Sequence, residues 1–167
     1  MLYFLLKFLH LMGAAVLLGT GAGIAFFMLA AHRTGNVAII AGVAAIVVMA
    51  DFLFTAIAAV VQPITGLALA WEAGHALTDG WIVLSIALYV FVGAFWLPVV
   101  WMQMQMRDLA QTALAAGAPL PERYHKLFRV WFIFGLPAFA AMLVIYWLMI
   151  TRPAIAMWPS VLTALRS

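Results

Sequence analysis

The stretch LYFLLKFLHLMGAAVLLGTGAGIAFFMLAA, residues 2–31, tells in which solvent this chain folds. A helix of about 20 apolar residues crosses the hydrocarbon core of a bilayer, and this run is longer. It has no basic segment ahead of it, exceeds the apolar core of a secretory signal and lacks a small-residue cleavage site, so a retained membrane span is expected. Lys7 and His10 are its only side chains of the Lys, Arg, His, Asp or Glu type. Ionisable groups inside a span are costly and mark functional positions by default. The i, i+3 spacing puts ammonium and imidazole on one helix face, expected to turn into a bundle rather than toward lipid.

The rest of the chain agrees. Of 167 residues, 69% are hydrophobic and 8% charged, against about half and about a quarter in a soluble domain, so the polar surface is too small to face water. The lipid bilayer is the expected partner. The chain has no cysteine, which excludes disulfides, thiolate metal sites and a cysteine nucleophile, and leaves histidine, carboxylates and methionine as ligands. The net charge of +3 comes from basic residues at helix ends, not from a basic patch with interleaved aromatics, so nucleic acid is not an expected partner.

Breakers divide the chain into four helices, about 2–31, 37–72, 81–116 and 121–151, in one domain over 1–153. A short tail, 154–167, follows, and its Trp158 suits the membrane interface. The first break is His32-Arg33-Thr34-Gly35-Asn36, the second Gly74 to Gly80, and the clearest is Ala116-Gly117-Ala118-Pro119-Leu120-Pro121. Pro63 and Pro137 fall inside helices, and Pro63 is expected to kink the second. The predicted architecture is all-α, an integral membrane four-helix bundle with antiparallel neighbours. Arg33, Arg107, Arg123, Lys126 and Arg129 gather at one end, against Arg152 and Arg166 at the other. The positive-inside rule then places both termini in the periplasm, with the chain in a bacterial inner membrane.

Counting equal distances from each turn matches residues by depth. Lys7 and His10 fall level with Ala58 to Gln62, with about Val92 to Trp96 and with Ala140 to Leu143. On the second helix Asp51, Thr55, Ala58, Gln62, Thr65, Gly66 and Leu69 follow at spacings of three and four, one narrow face expected to point inward. Ser85, Tyr89, Trp96, Gln103 and Arg107 line the third helix in the same way. Gln103 reaches the depth of Asp51, with Arg107 and Arg129 one turn further on. An unpaired carboxylate there costs roughly 2.5 to 3.5 kcal/mol on insertion scales, so a partner among Arg107, Arg129 and Gln103 is expected, as a structural pair or as a transport layer.

Plainer readings stand beside these. Lys7 lies close enough to the chain start to snorkel to the headgroups, leaving His10 as a hydrogen-bonded core histidine. Gly13, Gly19, Gly21 and Gly23 suit close helix contact, though Gly13 and Ala14 beside His10 also leave room for a flat ligand. His32, His75 and His125 fall in or beside connections and are expected to be solvated. Met102, Met104 and Met106 do not converge on one helix face, which argues against a copper site.

Tyr3-x-x-x-Lys7-x-x-His10 opens the first helix, Thr65-Gly66-Leu67 closes the second and Trp81 opens the third. Tyr124 to Arg129 precede the fourth span, Pro137 lies within it and Arg152-Pro153 ends it. In this layout the chain resembles the HemJ-type membrane protoporphyrinogen oxidases over nearly its whole length. On Lys7, His10, Asp51, Gln62-Pro63, Gly66, Pro98 and Pro137 it more closely resembles a bacterial family of predicted four-helix integral membrane proteins of unknown function. The HemJ-type resemblance implies haem b, with His10 as axial ligand to the iron and Lys7 functionally important. Where that family carries a third-helix histidine and a fourth-helix Asn-Glu-x-Pro, this chain reads Phe95-Trp96-Leu97 and Phe134-Gly135-Leu136-Pro137. The roles therefore carry over to His10 and Lys7 alone.

Two readings stay open. In the first, a haem-binding redox protein, His10 ligates iron, Lys7 pairs a propionate, Gln62 and Tyr89 hydrogen-bond nearby and Trp96 walls the pocket. No second histidine lies at that depth for bis-histidine ligation. The second is a non-enzymatic membrane module. It is a small-solute or proton carrier using the Asp51 and Arg107 layer, or a subunit of a larger membrane complex or homo-oligomer.

Overall fold

The computed structural model describes residues 1–155; residues 156–167, and with them Trp158 of the expected interfacial tail, lie outside the described residues. Four helices account for nearly all of the described chain: α1 (Leu2–Thr34), α2 (Val37–Glu72), α3 (Gly80–Ala115) and α4 (Glu122–Thr151). Each is long and apolar enough to cross a membrane, and the described residues contain no strand. Lipid leaves a spanning chain little choice, because every backbone N–H and C=O must find its partner within the protein.

The helix ends follow local chemistry. α1 runs past the expected break at His32 as far as Thr34, whose hydroxyl donates to Ala31 O at 2.7 Å. Gly35 then turns the chain with φ 64, the left-handed region in which a residue without Cβ is unstrained. The Asn36 side chain caps α2 by accepting from the amides of Ala38 at 2.9 Å and Ile39 at 3.2 Å. A two-residue link of this kind forces α1 and α2 antiparallel. Gly117, at φ 60, provides the corresponding turn after α3.

α2 is not uniform. Between Val37–Ala50 and Ala56–Glu72 lies a π turn, Asp51–Thr55, closed by the Ala56 amide on Asp51 O. The extra residue in that turn re-aims whatever follows it. Ahead of the turn α2 packs on both α1 and α3; beyond it, on α1. α3 and α4 pack on each other. The best-packed region lies at the end holding the α1–α2 and α3–α4 links, where Met28, Ile40, Met106 and Tyr124 are fully buried. Ala41, Ala44 and Ala110 let the backbones approach there, as small residues do where association rests on packing rather than on exclusion of water. Phe4, Phe8, Phe52, Val90, Trp147 and Ile150 point outward, where lipid rather than water meets them.

Candidate functional site

His10, half-buried on α1, is held by α2. The Thr65 hydroxyl donates within its own helix, to Val61 O at 2.9 Å with Gln62 O at 3.1 Å, and so presents a lone pair to His10 Nδ1 at 3.2 Å. The Gln62 amide nitrogen lies 3.4 Å from His10 Nε2. One assignment satisfies all of these groups: a neutral imidazole that donates from Nδ1 to Thr65 and accepts at Nε2 from Gln62. Gly66 makes room for the ring, since a Cβ there would stand 2.9 Å from His10 Cε1. A Cβ on Gly13 would collide with Gln62 Oε1, an oxygen that is buried and has no partner.

Lys7 does not join this group. It is exposed, and its Nζ sits 5.9 Å from the Tyr3 ring centroid on its own helix. Three residues of α-helix leave an offset of about 60° around the axis, and a long side chain near a helix end reaches for the interface. The arrangement does not fit a haem held by His10. Iron would take Nε2, which faces the Gln62 amide, while the ring packs against Gly66 and the ammonium lies elsewhere.

Tyr89 and Trp96, expected beside His10, serve other groups. Pro63 has no amide hydrogen, so the carbonyl four residues earlier, Ala59 O, loses its helical donor. The Tyr89 hydroxyl, from α3, donates to that oxygen at 2.5 Å. Trp96 turns to Asp51, with Nε1 3.4 Å from Oδ1.

Asp51 opens the π turn and is 3% exposed. With the Gln103 amide turned so that donors meet acceptors, its nitrogen donates to Asp51 Oδ2 at 3.1 Å and its oxygen accepts from Trp131 Nε1 at 3.2 Å. A chain of hydrogen bonds thus runs from α4 through α3 to the carboxylate on α2. Among the described residues Asp51 faces only neutral donors, the N–H groups of Trp96 and Gln103 and the Thr55 hydroxyl. Thr55 Oγ1, one turn further along and beside the carboxylate, is buried and has no other partner.

Over residues 4–153 the sequence matches the family model described as "Predicted integral membrane protein (DUF2269)". The chain belongs to this family. No curated protein and no solved structure matches it. In this DUF2269 chain the bundle is therefore an integral, multi-pass membrane protein, with the two polar layers inside it.

The arginines expected beside Asp51 stand outside its layer. Arg107 pairs with its neighbour Asp108, Nη2 to Oδ1 at 2.7 Å, and Arg129 is exposed and makes no ion pair among the described residues. Both are long enough to carry their charge toward the helix ends. Trp131 is the participant that depth counting missed. It lies 4% exposed with Tyr124 and Phe128 on the buried face of α4, and a buried indole needs an acceptor for its N–H. The expected solvation of His32 does not hold either: its ring is half-buried and stacks on Phe128 at 3.7 Å between centroids. His75, at the opposite end, lies 3.7 Å from Asp79 Oδ2 and 3.3 Å from Arg152 Nη1. Among the described residues no three His, Cys, Asp or Glu side chains gather as metal ligands do.

Proposed function

We propose that this DUF2269 chain is a non-enzymatic membrane module that takes up and releases a proton at Asp51. The observation that carries the reading is a carboxyl group inside a span, 3% exposed, held by Trp96 and Gln103 and, among the described residues, by no cation. A structural ion pair would have an arginine or lysine in contact, and Arg107 is committed to Asp108 instead. Neutral donors suit a group that changes charge: as a carboxylate Asp51 accepts from both, and once protonated it needs an acceptor. The Thr55 hydroxyl, beside the carboxylate in the same turn and engaged by no other group, can donate to the carboxylate or accept from the acid. π turns recur at functional positions because they expose backbone and re-aim side chains.

His10 is the second titratable group along α2, but eleven residues separate Gln62 from Asp51, about 16 Å at the helical rise. Direct proton transfer across that gap is excluded, so a carrier must move or admit water between the layers. The basic end, with Arg33, Arg107, Arg123, Lys126 and Arg129, faces the cytoplasm in this reading, which puts the N-terminus in the periplasm of a bacterial inner membrane.

Proteoliposomes with a trapped pH-sensitive dye test the proposal. An imposed pH gradient should collapse faster with the wild-type protein than with Asp51→Asn, the two being matched in helicity and gel-filtration behaviour; equal rates would refute it. The haem alternative, which the HemJ-type resemblance implies, requires Gln62 to release His10 Nε2. It would show as a stoichiometric b-type reduced-minus-oxidised spectrum, lost in His10→Ala.

A further inference from the structure

A cavity of about 330 Å³ lies between the end of α1 and the first turns of α4, lined by none of the residues of the two polar layers. Its walls are graded along the membrane normal. His125 and Arg129, on the first two turns of α4, and His32, two residues from the end of α1, form the polar end. Leu29, Phe132 and Ile133 continue it, one turn deeper on the same two helices. We propose that this cavity binds the phosphate headgroup of an anionic membrane lipid at Arg129, with the start of an acyl chain along Phe132 and Ile133.

Three features of the site point to that ligand. Arg129 is exposed into a cation-rich end of the bundle and makes no ion pair among the described residues, so its guanidinium is available for a bidentate phosphate contact. His32 is held rigidly by stacking on Phe128, 3.7 Å between centroids and 9° between planes. Its ring lines the cavity, and its Nδ1 is buried without a hydrogen-bond partner among the described residues. The sequence of polar end and apolar depth matches an amphiphile lying parallel to the helices, whereas a free anion would make no use of Phe132 and Ile133. Basic pockets between spanning helices at the headgroup level are the usual sites for anionic lipid heads.

The test is thermal stability of the purified protein in neutral detergent, titrated with phosphatidylglycerol, with phosphatidylcholine or with inorganic phosphate. Phosphatidylglycerol should stabilise, phosphatidylcholine should do so only weakly, and Arg129→Gln should weaken the phosphatidylglycerol effect about fivefold, the worth of one basic group near an anionic headgroup. Arg123→Gln removes an equal charge at the same end but outside the cavity, where Arg123 bonds Gln105 Oε1 at 3.2 Å, and should retain the wild-type response. Equal responses to the two lipids would overturn the proposal, as would equal losses in Arg123→Gln and Arg129→Gln. Stabilisation by inorganic phosphate as strong as by phosphatidylglycerol would reassign the site to a free anion and overturn the lipid reading.

Discussion

Tyr89→Phe isolates one hydrogen bond whose necessity is written into the sequence. Pro63 removes the donor for Ala59 O, and the Tyr89 hydroxyl replaces it from the neighbouring helix. Losing a bond to a buried carbonyl costs about 1–3 kcal/mol in soluble interiors, while side-chain bonds between spanning helices average about 0.6 and reach about 1.7 kcal/mol. Tyr89 bonds a carbonyl with no alternative donor, at 2.5 Å, so the upper part of the membrane range applies, about 1.5 kcal/mol. In a Pro63→Ala background the restored amide at position 63 reaches Ala59 O, and Tyr89→Phe should then cost close to nothing. The coupling energy in the double-mutant cycle should therefore be about 1–1.5 kcal/mol, read from unfolding equilibria of the four proteins in mixed micelles titrated with denaturing detergent. A Tyr89→Phe cost that is the same in both backgrounds would show that the hydroxyl does not substitute for the missing amide.

Further expectations use the same unfolding assay. Gly66→Ala drives a methyl group into the His10 ring, at 2.9 Å from Cε1, and should cost about 1–3 kcal/mol, as overpacking does. Gly13→Ala meets only the movable tip of Gln62 and should cost less; the reverse order would place the tight contact elsewhere. Trp131→Phe leaves the Gln103 oxygen unpaired and should lose about 0.6–1.7 kcal/mol, whereas an unchanged midpoint would remove α4 from the network. Arg107→Gln breaks an exposed pair with Asp108 and should change stability by less than about 1 kcal/mol. It should also leave the Asp51-dependent proton flux untouched, and a lost flux would return Arg107 to the layer.

The four helices were legible because lipid imposes one rule on every spanning segment, and the breakers at Gly35-Asn36 and Gly117 to Pro121 bracket runs that meet it. The inward stripe of α2 was legible for the same reason: Asp51, Thr55, Ala58 and Thr65 are buried, and its other members, Gln62, Gly66 and Leu69, are half-buried. Equal-depth counting also set Gln103 opposite Asp51. What escaped the sequence depends on single residues. Asp51-Phe52-Leu53-Phe54-Thr55 carries no breaker that announces a π turn, yet that turn sends the second half of α2 away from α3 and so parts Trp96 from His10. Depth and charge together suggested Arg107 and Arg129 as partners for Asp51, but a guanidinium near a helix end has water or headgroups within reach, and an indole at mid-span does not.

Pro63 shows where legibility stops. From the sequence, an amide missing at position 63 leaves the carbonyl of Ala59 in need of a donor within the bundle. Which donor supplies it depends on how α2 and α3 are placed, and hence on the π turn one helical segment earlier. The Tyr89 hydroxyl thus bridges α3 to the half of α2 that otherwise packs on α1, between the layer of Asp51 and that of His10. A movement that opened a path between the two layers would have to break or slide this bond. Tyr89→Phe should therefore alter proton flux through Asp51 even where the fold survives, and the Pro63→Ala background should suppress that effect if the bond is the restraint.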